Sequence, residues 1–571
     1  MEKTPQLVGY EMTPSGVAGG VGIYECVPKS RPPFNSALKI CRDRPNDLFM
    51  RAYFLKMTAE LEPPEIESLF HQAGKERDLP LLSLLYEASI VYPKFEQFLG
   101  SFESYDRDEL AEQSPLIYIP WHLRKDKKAN LYWLRNFARN KNRLDIMPPP
   151  DQAEEPLPFD PEKLNEWGKN TVSISSLRSS DANTGSYLKD VPDKAEIKGL
   201  TKSLELVGIL EGWETRPDAT LSPYAVERPW KLDVTVETGR NIFRLTGSQI
   251  SYGRGNKIGQ AKISCLMEAV ERYSSFAGFD QERAVNYCGN LDILKGRYTD
   301  LLKADMRVLN PADLCLETPF RDQEIYWVMG ERVGQDGIGS VYVPAQIVFL
   351  FPNLDEPGLT SGLPSNGLAA GVTRDSARLA AILEVLERDA EKIISYSEKR
   401  SFLLESEDRI INDILERCED KGIFIQFLDI TTEFGIPCYK AFIRGPNGMI
   451  LKGTGASLDG RSAIFSAMTE IPYPYPYWFG SMPSPKGMKK LRFEELPNYS
   501  SGSPERDLRL IEDLLTKNGY NPIYVDLTRE ELEIPVTRTI VPGLEMMTVV
   551  DRFTPLNPRF FGHYLADFDA L

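Results

Sequence analysis

Ala377-Arg378-Leu379-Ala380-Ala381-Ile382-Leu383-Glu384-Val385-Leu386-Glu387-Arg388-Asp389-Ala390 repeats, 116 residues further on, the spacing of an earlier segment, Ala261-x6-Glu268-x2-Glu271-Arg272. Residues at i, i+3 and i+4 share one face of a helix, so each predicted helix presents two carboxylates and a guanidinium together. Ile263, Met267 and Val270 in the first, and Leu379, Leu383 and Leu386 in the second, form the predicted buried side. If the two faces meet, four carboxylates crowd one volume, and repulsion would force some to protonate unless a divalent cation sat between them. Magnesium is the natural choice. Paired carboxylates holding hydrated Mg2+, with arginines on phosphate oxygens, can bind a nucleoside triphosphate without a Walker loop, and no G-x-x-x-x-G-K-[ST] occurs in the chain.

A single E-x-x-E-R is a common pattern on exposed amphipathic helices, and the pairing is what points to a site. Each copy also follows a glycine-rich stretch. Ser251-Tyr252-Gly253-Arg254-Gly255-Asn256-Lys257 reads as a turn that brings backbone amides and a cation close to phosphate. Pro364-Ser365-Asn366-Gly367-Leu368-Ala369-Ala370-Gly371 holds an Asn-Gly turn whose Asn366 amide can hydrogen-bond a ribose or a phosphate.

The rest of the sequence sets bounds. Its 571 residues, 42% hydrophobic and 26% charged, are the composition of a folded globular protein. A net charge of −16 disfavours nucleic acid as a partner, and the basic stretch Lys125, Lys127, Lys128, Arg135, Arg139, Lys141 and Arg143 reads as a solvated helix face. Seven scattered cysteines without a C-x-x-C, and three distant histidines (His71, His122, His563), suggest neither a disulfide framework nor a zinc site. With no signal-like start and no long apolar run, a cytoplasmic location without membrane attachment is expected.

Helix-spaced apolar residues over Asp47–Ala59, Pro64–Ala73, Leu79–Phe98 and Asn130–Asn142 predict a mostly helical accessory domain over 1–146. The stretch from Met147-Pro148-Pro149-Pro150 onward, rich in Pro and then Ser, reads as a linker over 147–194. From 195 to 571 strand and helix patterns alternate, predicting a mixed α/β (α+β) domain. Its strands are placed at Lys231–Val236, Ile242–Leu245, Val341–Phe351, Ile423–Leu428, Cys438–Phe442 and Pro522–Leu527.

Taken in order, Gly253-Arg254-Gly255, Ala261, Ser264, Glu268, Glu271 and Arg272, then Ser365-Asn366-Gly367, Ala369, Gly371, Glu384, Glu387, Arg388, Asp389 and Ala390, resemble the two signatures of the YcaO superfamily. Ile534-Pro535-Val536-Thr537-Arg538-Thr539-Ile540-Val541-Pro542-Gly543-Leu544-Glu545 is similar to the family's late strand ending in V-P-G-L. The resemblance implies a fold that holds ATP and Mg2+ between two facing acidic helices. It implies Glu268, Glu271, Glu384 and Glu387 as metal ligands, and Arg254, Ser264, Arg272, Asn366, Asp375 and Arg388 in the ATP site, with Arg254 where the family has lysine.

The implied activity is O-phosphorylation of a backbone amide of a peptide or protein, leading to a thioamide or an azoline; no side chain is assigned as its acid or base. The resemblance further implies a sulfur-donor or TfuA-like partner and a homodimer. The sequence departs from the family pattern in three places. Asp375-Ser376-Ala377 stands where many members have two acids and an alanine. Glu470-Ile471-Pro472-Tyr473-Pro474-Tyr475-Pro476-Tyr477-Trp478 lacks the family's Gln and Arg, and reads either as a substrate wall or as a stiff packing segment. The chain ends without the P-x-P-x-P tail of azoline-forming members. Two other readings stay open: a non-catalytic scaffold that binds a peptide or a partner enzyme, and a carboxylate-amine ligase working through an acyl phosphate.

Overall fold

Two fifteen-residue strands, Tyr224–Thr238 and Asn241–Gly255, pair antiparallel along their whole length and form the axis of the larger sheet. The computed structural model describes residues 7–18, 21–180, 186–188, 194–217, 223–362, 364–446, 448–471, 480–547 and 549–568. Leu232, Val234 and Val236 alternate inward with Lys231, Asp233 and Thr235 outward, the period of a half-buried strand. The sequence located the later half of the first strand and only the start of the second. The remaining parts, rich in Gly, Ser, Tyr and Arg, carry no such alternation in sequence.

Along this twelve-stranded sheet the order is Leu368–Ala370, Val536–Ile540, Ile523–Asp526, Ile325–Gly334, Leu291–Gly296, Arg283–Ala284, Phe279–Asp280, Tyr224–Thr238, Asn241–Gly255, Val8–Ala18 and Val21–Pro28; Gly337–Pro344 pairs with Ile325–Gly334. A second sheet of five strands runs Ile450–Ala456, Cys438–Arg444, Gln426–Asp429, Ser401–Glu405 and Lys489–Arg492. Parallel and antiparallel pairs occur in both sheets. This is the mixed α/β architecture that the alternating patterns predict.

Val341–Phe351, expected to be one strand, is a strand only to Pro344; proline opens a short helix, Ala345–Val348. Leu79–Phe98, expected to be one helix, is α-helical over Leu79–Val91 and continues as a 3-10 helix from Pro93. Before the N-terminal helices lies a hairpin that the sequence reading did not anticipate. Its strand Val8–Ala18 adds in parallel to Asn241–Gly255, pairing Val8 with Phe243 and Glu11 with Thr246. Tyr10, Phe49 and Phe243 meet edge to face, so the helices of the first 146 residues share a core with the sheet.

The proline-rich stretch lies against the C-terminal helix Pro558–Asp567. The Tyr564 hydroxyl donates to Pro148 O (2.6 Å) and the Trp133 indole to Pro156 O (3.0 Å), within a cluster of Trp133, Phe137, Phe560, Phe561 and Tyr564. A helix absent from the sequence reading, Pro161–Asn170, buries Leu164 in the same cluster. Among the described residues no helix is long and apolar enough to cross a membrane.

One buried acid sets a pH dependence for the fold. Burial pushes the Glu356 carboxyl up to about 8 despite the Tyr326 amide that donates to it, so the folded chain keeps a proton that the unfolded chain gives up above the usual carboxylate range. Its contribution to stability is fully present at pH 4 and is lost as pH rises through about 8. Glu356→Gln should therefore flatten the fall in Tm between pH 5 and 8, raising Tm at pH 8 by about a few degrees and leaving it nearly unchanged at pH 5, as scanning calorimetry reads it.

Candidate active site

The two acidic segments are the helices Ile258–Ser275 and Arg374–Ile393. Each begins against a glycine at a strand end. A Cβ on Gly253 would lie 1.9 Å from Ala261 O and 2.4 Å from Cys265 N; a Cβ on Gly371 would lie 2.4 Å from Ala377 N. The alanines that open both motifs are therefore small because the helix backbone rests on the sheet there. Gly253-Arg254-Gly255, read from sequence as a phosphate-cradling turn, is the last part of the strand Asn241–Gly255. Its glycines allow helix and strand to touch. The stripes that pack inward are also rotated from the expected ones: Cys265, Leu266, Ala269 and Val270, and Ala381, Ile382, Val385 and Leu386, are buried, whereas Ile263, Met267, Leu379 and Leu383 are only half-buried.

Both helices lie over the adjoining strands Leu368–Ala370 and Val536–Ile540, which turns their acidic faces toward each other. Glu271 lies within the electrostatic reach of Glu384, and Arg272 within that of Glu384 and Arg388. Four glutamates distant in sequence thus share one cleft. Glu271 and Glu387 are deepest, with 17% and 13% of the side chain exposed; Glu268 and Glu384 keep 30% and 27%.

Burial pushes the Glu271 carboxyl well up, against Arg272, with Glu384 and Glu268 adding repulsion. Burial also raises Glu384, against Arg388, Arg272 and Arg538. Glu387 is pushed up to about 7 by burial, against Arg388 and with repulsion from Glu470. Such a set favours an added divalent cation.

Backbone and hydroxyl donors fix three of the four acids, and Glu271 faces Arg272. Tyr252 N donates to Glu268 Oε2 (2.7 Å) and Gly367 N to Glu384 Oε2 (3.1 Å), where Gly367 has a left-handed φ of 77° and its Cβ would meet Thr539 O at 2.4 Å. Thr454 Oγ1 (2.8 Å) and Ala456 N (3.1 Å) donate to Glu387. Arg272 spans Glu268 (3.7 Å) and Glu271 (3.6 Å), and Arg388 spans Glu384 (3.9 Å), Glu387 (3.5 Å) and Glu391 (3.4 Å).

Glu470 joins these two groups. Its Oε1 lies 3.5 Å from Arg388 and 3.9 Å from Arg254, while its Oε2 accepts from Thr454 N (2.9 Å). Arg254 also donates to Thr469 O (3.0 Å), so it ties the larger sheet to the helix Gly460–Glu470 that packs on the smaller one.

The remaining expected residues fall in different places. Ser264 is exposed on the acidic face, one turn before Glu268. Asn366 is buried and donates to Met546 O (3.1 Å) and Glu545 O (3.4 Å), while its Oδ1 finds no hydrogen-bond partner among the described residues. Asp375 is nine residues before Glu384, half a turn out of phase, and lies toward Glu512 on the opposite side of the helix. Ser376, where the family has an acid, completes the helix cap with Thr373. Pro472–Trp478, read as a wall or packing segment, lies outside the described residues.

The donor set is all oxygen and half-buried, which fits a hard cation such as Mg2+. Among the described residues no three acids, histidines or cysteines form a closed cage. Mg2+ is ordinarily held by one or two carboxylates together with phosphate oxygens and water, and the arginines that face the acids are donors of the kind that pair with phosphate oxygens.

Sequence reasoning missed Glu391, Thr454 and Arg538, and read Glu470 only within a broken motif. Glu391 was legible as the next turn of the acidic face; Thr454 and Arg538 sit on strands, where no periodicity marks them.

A family model described as YcaO cyclodehydratase, ATP- and Mg2+-binding, matches residues 252–472 and 478–545. An uncharacterized protein of Methanothermobacter thermautotrophicus is 28% identical over 52% of this chain and 82% of its own length. A Rhizobium leguminosarum bv. trifolii protein described as lying in a tfuA 3′ region is 25% identical over 52% of this chain and 77% of its own. Two solved structures are also similar. A heterocyclase in complex with substrate and cofactor is 18% identical, covers 61% of this chain and 52% of its own, and gives a TM-score of 0.47. The YcaO of Methanopyrus kandleri bound with AMPPCP and Mg2+ is 23% identical, covers 64% and 95%, and gives 0.46. The chain spans about half the length of the heterocyclase.

The packing of Gly253 yields a direct test. Gly253→Ala should destabilise the fold by about 2 kcal/mol or more, because the helix backbone must move, whereas Arg254→Ala should keep a near-native Tm. Were Gly253→Ala as stable as the parent chain, the close contact of strand and helix would be refuted.

Proposed function

This chain belongs to the YcaO family, described as ATP- and Mg2+-binding cyclodehydratases, and on that premise we propose that it is an ATP-dependent enzyme that activates a backbone amide of a peptide or protein. ATP and Mg2+ are its cofactors. The observation that carries the reading is the convergence of Glu268 and Glu271 with Glu384 and Glu387 in one cleft already furnished with arginines.

Glu271, Glu384 and Glu387, with Glu268 at the rim, would hold Mg2+. Bound Mg2+ and ATP supply a γ-phosphoryl group whose charge is neutralised for transfer. The chain's own contribution is positioning and electrostatics. Tyr252 N, Gly367 N, Thr454 and Ala456 N hold three of the four carboxylates in fixed orientations, so little reorganisation is left for the moment of reaction. Arg272 and Arg388 are preplaced to turn from glutamate to phosphate oxygens at small cost, since each spans several acids at 3.4–3.9 Å rather than making one tight pair. Asn366, whose buried Oδ1 has no partner among the described residues, offers an acceptor to a nucleotide hydroxyl or amino group. Arg254 would act through Glu470 and Thr469, bracing the second helix's carboxylates.

In the proposed reaction a nucleophile adds to the amide carbon, the former carbonyl oxygen takes the γ-phosphoryl group, and phosphate leaves with that oxygen, giving ADP and the substituted amide. External sulfide would yield a thioamide, and a neighbouring Cys, Ser or Thr side chain an azoline. The relative described as lying in a tfuA 3′ region supports a thioamide and a TfuA-like partner. Residues 1–146, ahead of 147–194 and 195–571, are proposed to dock that partner or the substrate. A homodimer and a cytoplasmic location belong to the same proposal.

Two measurements test it. With an 18O-labelled substrate amide the label should appear in released phosphate; label arriving instead from a carboxylate would establish the acyl-phosphate ligase. Glu387→Gln should lower ATP turnover by about 100-fold or more with Tm at or above the parent value, since it removes a buried carboxylate from a crowded site.

A further inference from the structure

Arg538 is one of the largest fully buried side chains, 2% exposed, on the strand Val536–Ile540 that both acidic helices cover. It is registered against Leu368 on one side and Val525 on the other, so its backbone cannot shift without breaking both ladders. The guanidinium carries five N–H donors. Among the described residues it makes one hydrogen bond, Nη1 to Pro364 O (3.2 Å), and Nε has none.

Glu384 and Glu271, one acid from each helix, are the charges that oppose its desolvation; Arg272 works against it, and burial brings the guanidinium down to about 10. The contact to Pro364 O and the neighbouring bond from Thr539 N to Gly367 O (2.7 Å) place it directly under the Asn366-Gly367 turn, whose Gly367 amide holds Glu384. A buried guanidinium with spare donors, fixed below a carboxylate pair, is a costly arrangement that packing does not require.

Its charge acts in opposite senses on the two halves of a metal–nucleotide complex. A fixed cation beside Glu271 and Glu384 repels a bare divalent ion and attracts a polyphosphate. Resting on the nucleotide reading of this cleft, we infer that Arg538 is a positioning residue that makes the cleft refuse free Mg2+ and accept it only together with a nucleotide's phosphates. Arg272 and Arg388 can swing toward phosphate; Arg538, locked in its strand, remains as the charge that keeps the unliganded acids from capturing a metal ion alone.

The test is a pair of titrations by calorimetry on the full chain, with Mg2+ alone and with Mg2+ plus a non-hydrolysable ATP analogue. The parent chain should bind Mg2+ at least about 100-fold more tightly when the analogue is present. Arg538→Gln should bind Mg2+ alone about tenfold more tightly than the parent and the Mg2+–analogue complex about tenfold more weakly. A merely structural role would weaken both or neither. Arg538→Lys, which keeps the charge and loses the fork of donors, should leave Mg2+ alone unchanged and weaken the analogue several-fold.

Micromolar binding of Mg2+ by the parent chain without nucleotide would overturn the inference, and that measurement does not depend on whether Arg538→Gln folds. Unchanged Mg2+ affinity in a folded Arg538→Gln protein, with nucleotide binding intact in the parent, would overturn the role of Arg538 alone. Absence of any nucleotide binding by the parent would overturn the reading of the cleft and this inference with it.

Discussion

Carboxylates brought together against their mutual repulsion are the constraint to which the rest of this structure answers. Glu268 and Glu271 come from one helix and Glu384 and Glu387 from another, and burial raises three of the four. Such a group is tolerable in a folded protein only with counter-charge and donors in fixed places. Arg272, Arg388 and Arg538 provide the charge; amides of Tyr252, Gly367 and Ala456 and the hydroxyl of Thr454 provide the donors. Each helix lies close on the sheet because its first turns rest on a glycine through a small residue, Gly253 against Ala261 and Gly371 against Ala377.

Beyond the first ring of partners the second helix is held on every side. Glu391 anchors Lys452 at 2.8 Å and Lys440 at 3.6 Å from the smaller sheet, and against burial these two lysines with Arg388 hold its carboxyl far below the usual range. Asp389, on the same turn, accepts from Arg559 (2.6 Å) and Glu545 N (3.0 Å), and Arg559 in turn holds Glu433, which also meets His563. The Lys141 amine, from the N-terminal helix Lys127–Arg143, is pushed well below the usual lysine range by burial and by Lys440, and donates to the carbonyls of Glu391 and Ile394 at the helix end, where the last carbonyls lack partners within the helix. Residues well outside the family match thus steady the helix that carries Glu384 and Glu387. A site that works by charge placement needs this kind of frame, since a shift of about 1 Å in a carboxylate changes what it can hold.

Several features follow from the same logic. The arginines contact the acids at 3.4–3.9 Å, longer than tight paired hydrogen bonds, and leave donors for an incoming anion. Glu470 faces both Arg254 and Arg388, and together with the Arg254 bond to Thr469 O it links the larger sheet to the helix on the smaller one. Phosphoryl transfer needs little beyond such placement, and the absence of histidine from the acidic cluster is no obstacle to it.

The sequence by itself determined the acid spacing, the helices that carry it, the mixed α/β class and the family, because helical periodicity and motif order are local properties written in consecutive residues. It also suggested that two such helices should meet. What only the tertiary structure decided is how they meet and what surrounds them. Gly253 proved to be a strand residue under a helix, and Gly371, just past the end of its strand, makes the matching contact with the second helix, since a missing Cβ means one thing in a turn and another under a helix. Asp375 fell on the far side of its helix, nine residues being two and a half turns. Thr454, Glu470 and Arg538 entered the cleft from strands and a helix end with no periodic signal, and the hairpin Val8–Ala18 and Val21–Pro28 joined a sheet more than 200 residues away along the chain. Long-range strand pairing and the partner of a buried charge depend on the folded path of the chain, and no window of neighbouring residues contains that information.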